Sequence, residues 1–464
     1  MQDPTSRQDG DGAILTIGFG TTVAMWAVGY FCRLFGDTVA PVVIFSLLLL
    51  SQVVGGVAAG AWTQRGVRVA VLAGLLTGLL NLLIVGSLIG GETPNEVRIG
   101  ALAWVPGTLV VCALGGFLGA MIGRLFRATD GQNVDWAGAF AMVAVVATFL
   151  LLAAGGLVTG YDEGLAVVDW PNTEGYNMFL YPLSRMTGGV YLEHAHRLLG
   201  SLVGLTVLAL AIHTQISESR RWVKQVVWLV FLCVVIQGVL GGLRVTGRFT
   251  LSTDPDATAP SVILAIIHGV FGQIVFGGLV ILATCRSRLW ATIGAPESAP
   301  GASTDRFLGY SLVALLIAQL LLGAMVRHFT WALALPEMRY GLGLSPEQLT
   351  EYGTWALHLH ITLAVVVILA AVGLGVRAWG LYRGRPVLPR LGWSLLVLAS
   401  VQLALGVAAL IVTGDDDPER RPTALDVAIT TAHQIVGAAL LGWAILILIW
   451  NYRLLRPVSG RSET

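Results

Sequence analysis

The stretch Tyr191-Leu-Glu-His-Ala-His-Arg-Leu-Leu-Gly200 opens a long apolar run with a carboxylate, two imidazoles and a guanidinium. Ionisable side chains inside a membrane span are costly and by default mark function. Further histidines, His268, His360 and His433, stand at a similar depth in later apolar runs. Imidazole is the commonest metal ligand among side chains. The chemistry on offer is therefore ligation of a metal within a membrane, with an acid beside one of the ligands.

Spacing selects among the imidazoles. His194 and His196 are two residues apart, about 200° around a helix, and cannot face one cavity. The same holds for His358 and His360. The residue four positions on separates them: Gly200 follows His196, Gly272 follows His268, Ala364 follows His360 and Gly437 follows His433. Leu198 and Thr362 follow the alternatives His194 and His358. A small side chain one turn beyond an imidazole leaves a flat wall against which a porphyrin can lie, which favours His196, His268, His360 and His433. Two imidazoles per four-helix unit at one depth make a bis-histidine haem iron site. The competing account is polar core histidines bonded to neighbouring carbonyls. Zinc fits less well, because no set of carboxylates or thiolates accompanies the pairs. His213, near one helix end, and His328, at a loop entrance, read as interfacial. Arg197, Arg244 and Arg327 lie at outer helix ends, where they are candidate partners for haem propionates or simply snorkel to the interface.

The elements that must position these residues are long apolar helices. The chain of 464 residues is 55% hydrophobic and 12% charged, with mean hydropathy +0.77, which describes an all-α polytopic membrane protein. A net charge of +1 gives no pull toward nucleic acid. Cys32, Cys112, Cys233 and Cys285 form no metal-type spacing and read as small core residues. The polar start, residues 1–12, lacks the look of a transit peptide or cleavage site, so the first apolar run reads as a retained helix. Basic residues are nearly all Arg, with Lys224 alone, a usage that suggests a GC-rich bacterial genome.

Twelve runs are long enough to span, at about 20 residues per crossing. They lie near 14–34, 39–62, 67–90, 99–123, 137–159, 190–213, 224–243, 261–284, 306–326, 354–377, 391–413 and 425–450. The first four hold no histidine and are rich in small-residue steps, Gly55-Gly-Val-Ala-Ala-Gly60 and Gly115-Gly-Phe-Leu-Gly-Ala-Met-Ile-Gly123, which predict close helix packing. The polar linker 127–135 closes this part. The last eight runs repeat: 164 residues separate His196 from His360, and 165 separate His268 from His433. Two tandem, pseudo-symmetric four-helix bundles of the same orientation are expected. The second and fourth helix of each carries its histidine about 10 Å below the outer face. The domains are a four-helix extension at 1–128, a first bundle at 137–290 and a second at 305–455.

Arginine counting sets the orientation. Arg65/Arg68, Arg124/Arg127, Arg220/Arg221/Lys224, Arg286/Arg288/Arg306, Arg377/Arg383/Arg385/Arg390 and the tail Arg453/Arg456/Arg461 fall on one side. Both termini are thus expected in the cytoplasm of a bacterial cell, with loops 160–189, 244–260, 327–353 and 414–424 outside.

One asymmetry separates the repeats. Glu193 lies one turn before His196 on roughly the same face, whereas the strict equivalent in the second bundle is Leu357, with Trp355 nearby. An electron carrier needs two similar haem sites and no acid. An acid in one repeat alone points to chemistry at the first site and electron supply at the second. The bland account is an i,i+4 ion pair between Glu193 and Arg197.

Glu193-His-Ala-His-Arg197 matches the E-x-x-H-R motif of the haem A synthase family. Gly164-Leu-Ala-Val-Val-Asp-Trp-Pro-Asn-Thr-Glu-Gly175 resembles that family's first outer loop, and Gly241-Gly-Leu-Arg244-Val and His433-Gln also fit. The likeness covers about 137–455. It implies oxidation of the C8 methyl of haem O to a formyl group by successive hydroxylation, the gem-diol losing water to give haem A for cytochrome c oxidase biogenesis. It implies His196 and His268 as ligands of the substrate haem O, His360 and His433 as ligands of a haem b that relays electrons, and Glu193 as the catalytic acid or base. The implied partners are haem O synthase, an unidentified electron donor, the lipid bilayer and a second copy of the chain. Some family members carry a cysteine pair in the first outer loop; 160–189 has none, which argues against thiol-dependent steps. The four N-terminal helices lie outside the family's core, with accessory packing and partner docking both open. The rival functions are a dihaem b-type electron carrier, which needs no Glu193, and a haem transporter using the Trp170-Pro loop.

Overall fold

The computed structural model describes residues 4–34, 36–127, 134–248, 254, 258–334, 344–385, 387–414 and 421–458. Most of the 127–135 linker and Arg461 of the tail lie outside the described residues. Among the described residues twelve helices are long and apolar enough to cross a membrane, and the protein is a multi-pass membrane protein. They are α1 (Pro4–Leu34), α2 (Pro41–Trp62), α3 (Gly66–Ile89), α4 (Ala101–Gly123), α5 (Trp136–Gly160), α6 (Gly188–Ser217), α7 (Arg221–Thr246), α8 (Val262–Arg286), α9 (Ala302–Ala334), α10 (Pro346–Leu381), α11 (Leu388–Thr413) and α12 (Ala424–Leu454). The expected runs and the helices agree one for one. They differ at ends where polar residues extend a helix beyond its apolar stretch. Ser345 caps α10 with a reciprocal Gln348 box and a proline at the first turn, so the helix begins eight residues ahead of the expected 354. Thr423 and Asp426 do the same for α12.

The chain divides into two compact units: residues 1–151, 171–235 and 286–288, and residues 152–170, 236–285 and 289–464. In the first, α1–α4 pack through small residues. A Cβ added to Gly56 or Gly60 of α2 would overlap the carbonyls of Gly116 or Ala120 of α4, and one added to Gly119 or Gly123 would overlap those of Val53 or Val57. Such contact is what draws apolar helices together when lipid is as apolar as their side chains. Ala13, Ile17, Ala59, Val69, Ala70, Ala73 and Ala120 form the core beneath it.

In the second unit α9 packs on α10, α10 on α11, α11 on α12 and α12 back on α9. That is the up-down topology of a four-helix bundle. Its core joins Leu312 and Leu316 of α9, Val367, Ala371 and Leu374 of α10, Leu395 and Ala399 of α11 and Leu440, Leu441, Ala444 and Ile447 of α12. One end is tied by a short parallel pair, Glu297–Ala299 with Leu455–Pro457, and by Arg453, which donates to the carbonyls of Trp290 and Gly294 at 3.2 and 2.8 Å.

Candidate functional site

His360 and His433 are brought together in the second unit, with ring centres 6.3 Å apart and planes at 69°. A metal about 2 Å from one nitrogen of each ring, with that nitrogen about 1.1 Å from the ring centre, would put the centres about 6 Å apart. The pair therefore fits an ion held between two imidazoles. Among the described residues no group of three or more His, Cys, Asp or Glu could hold a metal. A haem iron fits two imidazoles alone, because the porphyrin supplies the other in-plane ligands.

The rings are held by a device that the histidine pattern did not reveal. His360 Nδ1–H donates to the main-chain carbonyl of Gln319 at 3.1 Å, and Gln319 Nε2 donates back to the carbonyl of His360 at 2.9 Å. His268 and Gln237 repeat both bonds, at 3.1 and 2.8 Å. Gln402 Nε2 approaches His433 Nε2 at 3.4 Å. A proton held on Nδ1 by a carbonyl puts the lone pair on Nε2, the arrangement of a metal-ligating histidine with a fixed tautomer.

One turn beyond each glutamine stands a glycine under the ring. A Cβ on Gly241 would lie 2.8 Å from His268 Cε1, one on Gly323 3.1 Å from His360 Cε1 and one on Gly406 3.1 Å from His433 Cε1. The readable signal is Gln-x-x-x-Gly on the helices preceding those of His268, His360 and His433, at 237–241, 319–323 and 402–406. The small residues after the histidines have a second use as well. A Cβ on Gly272 or Gly437 would come within 2.9 or 3.4 Å of the amide nitrogen of Gln237 or Gln402.

His196 stands in the first unit and His268 in the second. Glu193, His194 and His196 start α6, where burial is high: His194 is 0% exposed and Glu193 4%. Arg197 Nη2 donates to Glu193 Oε1 at 2.6 Å, and its Nη1 donates to the carbonyl of Asn172 at 2.9 Å. The acid is thus anchored through Arg197 to the connection before α6. His194 turns to that connection too, sharing a 3.0 Å hydrogen bond with Thr173 Oγ1 and packing 5.0 Å from the ring of Tyr181. It therefore serves loop attachment.

The N-terminal helices hold the same connection from its other side. Cβ atoms on Gly86 and Gly90 of α3 would overlap the carbonyls of Phe179 and Leu180. Tyr176 donates its hydroxyl to the carbonyl of Glu92, and the main-chain N–H of Asn177 donates to Asn95 Oδ1 at 3.0 Å. Tyr191 of α6 donates to the carbonyl of Tyr30 at 2.9 Å and stacks on its ring.

The other arginines are also engaged. Arg244 donates to the carbonyl of Gly164 at 3.1 Å. Arg327 pairs with Asp162 and donates to the carbonyl of Thr159. Burial pushes the Asp162 carboxyl up, and Arg327 opposes that shift. His328 and His213, read as interfacial, are buried at 5% and 9% exposure. His213 lines a cavity of about 280 Å³ with Asp11, Leu15 and Ser217.

Fold and site together define a class: a polytopic helical membrane protein with two imidazoles brought together between the helices of a bundle. The family model described as cytochrome oxidase assembly protein matches residues 176–445. The chain is 25% identical over 340 residues to a haem A synthase of Geobacillus kaustophilus, covering 72% of this chain and 96% of that protein. It is 26% identical over 215 residues to a haem A synthase of Lysinibacillus sphaericus, covering 45% and 63% of the two chains. A protoheme IX farnesyltransferase of Haloarcula marismortui is 27% identical over 144 residues, 31% of this chain and 28% of that one. The chain belongs to the cytochrome oxidase assembly protein family, that of the haem A synthases. Helices α1–α4 lie outside the matched residues.

Proposed function

We propose that the protein is a haem A synthase of the bacterial cytoplasmic membrane, which oxidises the C8 methyl of haem O to a formyl group by two successive hydroxylations. Each consumes dioxygen, two electrons from an external donor and two protons and releases one water, the gem-diol then losing a further water. In this reading His196 and His268 ligate the substrate, and His360 and His433 hold a haem b, one in each tandem bundle. A bound haem b supplies one-electron transfer between an external donor and the substrate's site. The observation that carries the reading is the buried Glu193–Arg197 pair one turn before His196, set against Leu357 at the same place in the second repeat.

The chain's own residues then have defined tasks. Arg197 fixes the Glu193 carboxylate and, through the Asn172 carbonyl, the connection above it. Glu193 is then the carboxylate that accepts or delivers a proton beside the substrate methyl. Gln319 fixes the His360 ring. Burial of Glu193 and His194 keeps bulk water from this end of α6. Haem O synthase is the partner whose product is consumed, and both termini face the cytoplasm.

The test is conversion of haem O in membranes that contain haem O synthase and this chain. Haem A is expected with the native sequence, and its yield falls about 100-fold in Glu193→Ala, the size of a lost general acid–base. Normal conversion by Glu193→Ala removes the assigned role.

A further inference from the structure

The first unit holds a cavity of about 280 Å³ between α1 and α6, away from the ligand histidines. Both helices reach it at an end: Asp11 is the second residue of the α1 span and Ser217 the last of the α6 span. The ends of membrane spans stand at the level of the lipid headgroups. The apolar walls are Leu15, Ala209, Ile212 and Ile216. Ile212 and Ile216 are 47% and 73% exposed, so those walls continue onto the outer flank of α6.

Each polar group on the lining can accept a hydrogen bond. Asp11 brings a carboxylate at an exposed position. His213 is 9% exposed, and its Nδ1 is buried with no partner among the described residues. A buried polar atom left in this state calls for a partner. Ser217 gives its hydroxyl proton to the His213 carbonyl at 2.7 Å and accepts from Arg286 Nη2 at 3.2 Å, which leaves it one lone pair. Arg286 and Arg220 are themselves paired with Glu218, so the charge on the lining is that of Asp11.

A fitting ligand brings donors, a positive charge and an apolar body. An anionic headgroup would face the Asp11 carboxylate, and a quaternary ammonium has no N–H to give. A primary ammonium has three donors and no acceptor, which matches carboxylate, imidazole and hydroxyl one for one. We propose that this cavity binds the primary ammonium headgroup of a membrane phospholipid of the phosphatidylethanolamine type, bridging Asp11 of α1 to His213 and Ser217 of α6. The same two helices meet at their opposite ends, where Tyr191 donates to the Tyr30 carbonyl and stacks on its ring. The lipid thus fixes the second end of the contact between the N-terminal helices and the helix that carries Glu193 and His196.

The experiment uses the purified full chain in mixed detergent micelles with phospholipids of identical acyl chains. Phosphatidylethanolamine should raise the thermal midpoint. Phosphatidylcholine, cationic at nitrogen but without N–H, and phosphatidylglycerol, anionic with hydroxyls, should do so far less. Asp11→Asn should weaken the apparent affinity for phosphatidylethanolamine about 10-fold, the size of one hydrogen bond to a charged group, with the midpoint in lipid-free detergent unchanged. Asp11→Lys should turn the preference toward phosphatidylglycerol, a gain that no folding defect produces. Equal stabilisation by the three lipids, or an unchanged preference in either variant, overturns the proposal. Equal stabilisation by free ethanolamine overturns it too, because the site would then serve a soluble amine or a partner's lysine.

Discussion

A carboxylate buried in a membrane helix is tolerated where a cation matches it, and Arg197 does this for Glu193 with side chains 9% and 6% exposed. Removing one partner of such a pair strands the other. Arg197→Leu is therefore expected to destabilise the fold by about 3–5 kcal/mol, seen as a large drop in thermal midpoint. Glu193→Gln, which keeps a hydrogen-bond acceptor, should lower it much less while still abolishing conversion of haem O. Equal drops would mean that the pair is structural alone. At this scale the sequence was partly legible. Helical angle shows that His194 and His196 cannot face one cavity, and the small Gly200 beyond His196 makes the choice between them; His194 is engaged with Thr173 and Tyr181. The glutamines were not legible, because an amide in an apolar helix carries no signal until its partner is known; the recurrence of Gln-x-x-x-Gly before His268, His360 and His433 is the clue that was there.

At the scale of elements, two kinds of contact hold the helices. The α2–α4 seam depends on backbones meeting at Gly56, Gly60, Gly119 and Gly123, so Gly119→Leu should break it and prevent accumulation of folded protein, measured as loss of the monodisperse peak in detergent. The small-residue steps made this seam predictable. The α6–α7 connection depends on charge. Bonds from Arg220, helped by Arg286, hold the Glu218 carboxyl down at about 2 against an ordinary 4.5. A lowered folded value stabilises above the unfolded one and loses its effect as pH falls between them. Glu218→Gln should thus lower the thermal midpoint at pH 7, with the difference shrinking from about pH 4.5 downward and vanishing near pH 2. A difference independent of pH would contradict the account. No sequence pattern announced this bond set, since it joins a turn to the end of a helix 68 residues away.

At the scale of the molecule, the N-terminal helices gain a task. Within the first unit, α3 seats residues 176–180 and α1 seats Tyr191, both in the stretch between Asn172 and Arg197, the residues that anchor Glu193. The connection here has no cysteine, and these contacts fix it instead. Gly86→Leu, which places a side chain where the Phe179 carbonyl lies, should cut conversion of haem O sharply while leaving the haem of the His360–His433 pair spectroscopically unchanged. Loss of both would mean a general folding defect. The number and type of helices could be read from apolar runs, but this seat could not, because it joins stretches about 90 residues apart through backbone carbonyls. The central claim is that the two histidine pairs serve different haems. Extraction of the haems from the purified full chain, made in cells that produce haem O, tests it most directly. Haem b together with haem O or haem A in about equal amounts is the expected result. Two equivalents of haem b and no other haem would contradict it and mark the protein as an electron carrier.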